Sequence, residues 1–430
     1  MKADPTTPED PGPRELRTRL ARQVEEGSHR LPQLARMLVG VPSEYPPGDT
    51  HAMAAAVETL ARDIPGVEIE RHQTLPHIVN LVLRLRGARP GRRLVFNGHM
   101  DTFPLANPAA WTVDPKGEER DGKLYGLGVS DMKGGVAAIL FALSHLAGMR
   151  ETLSGEVVAT LVGDEESMGT GGTQHLLTHV PAASGDAMIN ADTGSTQVLR
   201  FGEKGMLWLS LHATGRSAHA AHVHRGDCAV EKLMAAMQSL SRIREMAVDG
   251  PAEVRDAISS ASAVSESLSG AGESDVLRSI TLTFGTVRGG QLSNLVADSA
   301  QATADIRIPV GLSTAAVEQR IRELLASHGD VTFGIDRRYE ASWTPPGHEI
   351  IRTLARNCES VLGQRPVTNM RVGASDARLY RYAGIPAVVC GLTAHNMGAA
   401  DEHVFVDELR ALGEIYALTA FDYLAAERAA

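Results

Sequence analysis

The chain has 430 residues, 43% apolar and 22% charged, and its 52 acidic against 42 basic side chains leave a formal net charge of −10. That length suits two cores better than one, and the composition excludes a disordered or fibrous chain. The acidic balance, with no basic run interleaved with aromatics, excludes a phosphate-backbone partner, so no nucleic acid is expected.

Residues 1–14, rich in proline and acid, read as a disordered lead-in without the apolar stretch of a signal peptide. Helical spacing of apolar residues follows at 52–63, and the runs 78–85 and 93–97 read as strands. The segment 133–147 is the most apolar helix, yet it is too short to span a bilayer and carries Ser144 and His145, so no membrane partner is expected. Strands are expected at 155–162, 186–190 and 385–389, and helices at 351–362 and 407–425. From Gly205 a strand-helix-strand-strand-helix-strand series runs to about residue 341, the order of a ferredoxin-like unit. Within it, 249–275, "DGPAEVRDAISSASAVSESLSGAGESD", reads as a long mobile excursion. The expected fold class is therefore α/β. A domain of residues 15–204 and 342–430, with a mixed, mostly parallel sheet covered on both faces, is interrupted by an α+β insertion at 205–341. Cys228, Cys358 and Cys390 make neither a disulfide framework nor a zinc knuckle and read as reduced thiols of a cytoplasmic protein.

Four of the apolar runs deliver polar chemistry where they stop. "LVFNGHMDTFP" presents His99 and Asp101, and "LYGLGVSDMKGG" presents Asp131 at a helix start, where free N–H groups favour an anion. "TLVGDEESMG" presents Asp164, Glu165 and Glu166, and "MINADTGS" presents Asp192. Ligands of open α/β sheets bind beyond the carboxyl ends of strands. Desolvated carboxylates need partners or cations, and a mixed imidazole and carboxylate set suits one or two Zn, Mn or Co ions in a hydrolytic centre. Singly the motifs say less: a lone His-x-Asp is usually a surface turn, and "GLGVSDMKGG" lacks both phosphate-loop patterns. Asp164 reads as a solvated strand-end residue.

His99-Met-Asp101, "GLGVSDMKGG", Glu165-Glu166, Asp192, "GRSAHAAH", "LSNLVADSAQATADIR" and "GIPAVVCG...DEHVFVDEL" occur in this order and spacing. Over residues 30–425 the chain resembles the M20 family of metallopeptidases and amidohydrolases, which includes aminoacylases, acetylornithine deacetylase, succinyl-diaminopimelate desuccinylase and glutamate carboxypeptidase. The resemblance implies a metal-binding domain interrupted by a lid or dimerisation domain, and a homodimer or higher homo-oligomer. It implies His99 and Asp192 on one metal, Asp131 bridging, Glu166 on the second, Asp101 supporting His99 and Glu165 as the general base. His219 would stabilise the oxyanion in the partner subunit's site. The last ligand departs from the family pattern: His395 is the expected donor and His403 its rival. Cys228 stands where the family commonly has asparagine. Asn294 and Arg307 are either ordinary polar residues of a strand pair or binders of a substrate carboxylate, with Arg371 and His222 as further candidates.

The expected function is hydrolysis of an amide C–N bond in a small N-acyl amino acid or dipeptide-like carboxylate. The alternatives are an aminohydrolase that deaminates a small non-peptide amine bearing a carboxylate, and a non-catalytic ligand-binding homologue.

Overall fold

The computed structural model describes residues 12–425, so residues 1–11 of the expected disordered lead-in lie outside the described residues. Its strands begin with β1 (Val67–Leu75), β2 (Ile78–Arg86), β3 (Arg89–His99), β4 (Glu118–Arg120), β5 (Lys123–Tyr125), β6 (Ser154–Val162), β7 (Ala187–Asn190) and β8 (Val198–Glu203). They continue with β9 (Gly205–Thr214), β10 (Thr281–Gly289), β11 (Ser299–Ile308), β12 (Val331–Tyr339), β13 (Ser342–Trp343), β14 (Val367–Arg371), β15 (Ala387–Val389) and β16 (His403–Phe405). The helices are α1 (Pro13–Gly27), α2 (Leu31–Val39), α3 (His51–Arg62), α4 (Gly134–Ala147), α5 (Thr173–His179) and α6 (Ala229–Leu240). After them come α7 (Ala252–Ser269), α8 (Glu273–Arg278), α9 (Thr314–Leu325), α10 (Glu349–Leu362), α11 (Ala377–Tyr382) and α12 (Val406–Ala425).

The chain packs as two compact units, one of residues up to Arg200, Gly347–Val367 and Ser375 onward, the other of Phe201–Pro346 with Thr368–Ala374. The short segment Thr368–Ala374, expected from sequence in the larger domain, packs with the second unit.

In the first unit the sheet order is β1-β2-β6-β3-β7-β15-β8. Pairing is parallel from β6 through β3 and β7 to β15 and antiparallel on either side. The continuous apolar runs of β2, β3 and β6 follow from burial on both faces. α4 is buried almost all round, Val136 to Leu143 included. Its opening glycines permit that placement: a Cβ on Gly135 would lie 2.4 Å from the Ala191 carbonyl oxygen, and one on Gly134 2.6 Å from that of Val129. The parallel strands β3, β6, β7 and β15 end on the same side, so the residues just past His99, Val162 and Asn190 are delivered to one edge.

In the second unit β9, α6, β10, β11, α9 and β12 form an antiparallel sheet of order β10-β11-β9-β12, the ferredoxin-like arrangement, with Leu207, Leu209, Leu233, Ile306 and Ile321 in its core. The expected mobile excursion at 249–275 is instead largely helical, forming α7 and the start of α8. Its apolar stripe, Val254, Ile258 and Ala261 with Ser265, has helical spacing but is diluted by exposed Ser and Glu, which hid it. Among the described residues no helix is long and apolar enough to cross a membrane.

Candidate metal centre

His99 closes β3, and its ring is fixed at both nitrogens. Nδ1 lies 2.9 Å from the Asp101 carbonyl oxygen and Nε2 2.9 Å from Asp131 Oδ1. With its proton on Nδ1 for the carbonyl, the ring turns the Nε2 lone pair toward a carboxylate, an approach that needs a proton or a cation between them. The Asp101 carboxylate stands 3.5 Å from Nδ1 and is occupied elsewhere, accepting from the Glu165 and Glu166 backbone N–H groups at 3.3 and 3.1 Å. The Asp101 carbonyl orients His99, while the Asp101 side chain holds the glutamate turn.

Asp131 sits in the turn Val129–Lys133 before α4, joined to Met132 by a cis peptide. The turn is held from outside by Glu402, whose buried carboxylate accepts from the Gly128 N–H (3.0 Å), the Ser130 N–H (3.0 Å) and the Ser130 hydroxyl (2.7 Å). Lys133, buried in the same turn, donates from Nζ to the Val41 carbonyl at 2.6 Å, and burial pushes its pKa down to about 8. Asp192 follows β7, its N–H bonded to Asn190 Oδ1 at 3.0 Å. Ligand atoms of His99, Asp131 and Asp192 all lie within 4.8 Å of one another, the one such group among the described residues.

The electrostatics of this edge are those of too many carboxylates. Desolvation, with Asp131 next, pushes the Glu166 carboxyl up to about 9. Desolvation also lifts Glu165 well above the ordinary range, opposed by His99 and reinforced by Asp192, Asp376 and Glu166. Burial disfavours a charged His99, but its bonds to Asp101 and Asp131 outweigh that and hold its pKa well above the ordinary value. Asp164, expected from sequence to be solvated, is buried: it accepts from the Gly171 N–H at 2.6 Å, and desolvation pushes it up to about 7. That correction has a local cause, because the chain folds back through Gly169–Gly172 over the strand end.

The remaining expected residues lie elsewhere. His395 and His403 stack on each other, ring centroids 5.0 Å apart, through a backbone bridge between β16 and the preceding loop; neither belongs to the converging group. His219, His222, Asn294, Arg307 and Arg371 are in the second unit. His219 is exposed, and its Nδ1 accepts from the Ala221 N–H at 3.1 Å. Asn294 is exposed and its carbonyl receives the Ala220 N–H at 2.8 Å. His222 is exposed between His219 and His224, and Arg307 pairs with Asp305 at 2.9 Å.

Two acidic residues were not singled out from sequence. Glu402 clamps the Asp131 turn as described. Asp376, 1% exposed, accepts from the Thr173 hydroxyl at 2.6 Å, and desolvation raises its pKa against the opposing pull of the Arg378 guanidinium 3.9 Å away. The legible signal for both was an acid inside an otherwise apolar or glycine-rich motif, in "AADEHVF" and "RVGASDARLY".

The donor set fits a divalent cation. Imidazole and carboxylates converge, and Glu166 Oε1 and Asp164 Oδ1 are buried oxygens with no hydrogen-bond donor. Residues 95–422 match the model of peptidase family M20/M25/M40. A succinyl-diaminopimelate desuccinylase of Cereibacter sphaeroides is 33% identical over 362 residues, 81% of this chain and 88% of that one. A second, from Roseobacter denitrificans, is 31% identical over 77% of this chain and 83% of its own length. Among solved structures, an M20 family metallo-carboxypeptidase from Sulfolobus solfataricus superposes with TM-score 0.74 at 17% identity, covering 92% of this chain and 98% of that chain. Human carnosine dipeptidase 1 gives 0.73 at 17%, covering 94% and 99%. A dinuclear metal binding peptidase from Bacillus subtilis gives 0.61 at 14%, covering 92% and 98%. The chain belongs to peptidase family M20/M25/M40 and is a metal-binding hydrolase acting on carbon–nitrogen bonds.

Proposed function

We propose that the chain hydrolyses the amide bond of a small acylated amino acid, or of a dipeptide-like carboxylate. The observation that carries this reading is the convergence of His99, Asp131 and Asp192 with Glu165 close by, a half-buried carboxyl whose affinity for a proton is raised by desolvation and by the neighbouring acids. Relatives named for removing a succinyl group from diaminopimelate support an acylated amino acid as the substrate class.

One or two Zn, Mn or Co ions, held by His99, Asp131, Glu166 and Asp192 with His395 or His403 as a further donor, would supply Lewis acidity to the scissile carbonyl and to water. Asp131, whose carboxylate faces His99 Nε2, is the residue that would serve both ions if two are bound. The Asp101 carbonyl keeps the His99 proton on Nδ1, so Nε2 is the donor atom, and the Asp101 carboxylate aims Glu165 and Glu166 through their backbone N–H groups. Glu165 takes a proton from the attacking water onto its carboxylate and returns it to the leaving nitrogen. His219, with Nδ1 engaged by the Ala221 N–H, offers Nε2 to the carbonyl oxygen as charge develops there. Asn294, Arg307 and Arg371, with His222 as a further candidate, bind the substrate carboxylate; a guanidinium fork suits that anion. Association of two copies through the second unit, in a cytoplasmic homodimer, is part of the same reading.

The test is Glu165→Gln assayed on N-succinyl and N-acetyl amino acids. Turnover should fall by about 10³-fold while metal content measured by mass spectrometry stays unchanged; full activity in that variant contradicts the assignment. Ammonia released without a carboxylic acid from an amine substrate would instead support the aminohydrolase, and a metal-loaded protein inert on both classes would support the binding homologue.

A further inference from the structure

Between α6 and β10 the second unit adds α7 and α8 to its ferredoxin-like plan, and their polar contacts lead to β14. Within the pair, Glu266 near the end of α7 accepts from the Gly272 and Ser274 N–H groups at 3.0 and 3.1 Å, capping the start of α8. At the other end of α8, Lys204 donates from Nζ to the carbonyls of Val276 and Ser279 at 2.6 and 2.7 Å. Lys204 is 4% exposed, and desolvation, with Arg307 nearby, pushes its pKa down to about 7. A cation is thus kept in place at the expense of its hydration, and removing it would leave two carbonyls without a donor.

The same lysine reaches β14 through its backbone, its N–H donating to the Arg371 carbonyl at 3.4 Å. Two residues earlier on that strand, Asn369 donates to Ser265 Oγ of α7 at 2.9 Å and to Glu273 Oε2 of α8 at 3.4 Å, and Ser265 in turn bonds Glu273. The residue between these two ties, Met370, borders a cavity of about 230 Å³ shared with Val254, Ile258, Leu277 and Val310. β14 is paired with β8, and the polar ties on either side of Met370 add a second set of restraints to that pairing, on the side where the cavity leaves the strand less closely packed.

We infer that Lys204 is a positioning residue, which with the α7–α8 hairpin fixes the Asn369–Arg371 segment and so sets how well Arg371 selects a carboxylate-bearing substrate. This rests on the proposed reading of Arg371 as a substrate-carboxylate binder. In sequence, Ser375 and Asp376 follow Arg371 within five residues.

The test compares wild type with Lys204→Met and Lys204→Arg in the metal-loaded full chain, using an N-acetyl amino acid, which carries one carboxylate, and the same compound with that carboxylate converted to a carboxamide. Lys204→Met should raise KM for the carboxylate about tenfold, leave kcat within about twofold and leave KM for the carboxamide unchanged, while Lys204→Arg recovers most of the KM. Hydrogen exchange of residues 368–371, which needs no turnover, should accelerate in Lys204→Met together with that of α8. An unchanged carboxylate-to-carboxamide KM ratio, or faster exchange in α8 with none at 368–371, overturns the inference. Should wild type turn over neither compound, the proposed function fails, and the exchange measurement alone decides the clamp. If Lys204→Met does not fold, Asn369→Ala is put through both measurements with the same expected and overturning outcomes.

Discussion

The polar residues at the ends of β3, β6 and β7 are buried or half-buried, and several are tied across elements, His99 to Asp131 and the Glu165 and Glu166 N–H groups to Asp101, whereas His219, His222 and Asn294 of the second unit are exposed and rest on backbone turns. The difference teaches where a single chain declares its chemistry. Desolvated carboxylates that repel one another leave a record in raised pKa values and orphaned oxygens, and that record asks for a cation. Exposed imidazoles and amides are already satisfied by water, so nothing in their surroundings asks for a ligand.

If the contrast is sound, breaking a tie at the buried edge should cost far more than trimming an exposed residue. The largest effect expected is at Glu402. Glu402→Ala strips the Gly128 and Ser130 N–H groups of their acceptor and should lower stability by about 2–4 kcal/mol, measured by denaturant unfolding. It should also reduce bound metal, because the Asp131 turn loses its outer clamp. Wild-type stability and metal content in this variant would erase the distinction between the two regions.

A smaller effect follows from pH. In metal-free protein the Asp164 and Glu166 carboxyls are raised from the ordinary 3.8 and 4.5 to about 7 and about 9. The folded state therefore favours their protonated forms. Their contribution to stability is complete below the ordinary carboxyl range and is lost as pH rises through about 7 and then about 9, and His99, also raised, acts in the same sense. The melting temperature of metal-free protein should fall between about pH 5 and 7, with the fall above that partly offset by buried Lys204 and Lys133, whose pKa values are lowered to about 7 and about 8, and added Zn or Mn should flatten it by replacing protons with cations. A metal-free profile that is flat or rises between about pH 5 and 7 contradicts the electrostatic account.

Much of the buried edge was legible because strand ends are. An apolar run such as "LVFN" or "VVATLV" ending in His or acid marks the place where a sheet hands its chain to solvent or to a ligand, and His99, Glu165, Glu166 and Asp192 stand at such handovers, while Asp131 was marked by its place at the start of an apolar helix. Asp164 was misread because an acid at a strand end is solvated by default; its burial depends on the Gly169–Gly172 fold-back, which has no periodic signature. Glu402 and Asp376 act through hydrogen bonds to distant elements, and no local spacing announces a contact over hundreds of residues. In α7 the stripe of Val254, Ile258 and Ala261 was too thin to outweigh the Ser and Gly around it. The stacking of His395 on His403 needed the register of β16 against the preceding loop, which sequence does not supply.

Anomalous diffraction from crystals grown with Zn or Mn tests the central claim most directly. The account predicts a peak coordinated by His99 Nε2, Asp131 and Asp192, with any second peak on the Glu166 side of Asp131. No anomalous density among these side chains, with His99 still bonded to Asp131 and the surrounding carboxyl groups protonated, would contradict it.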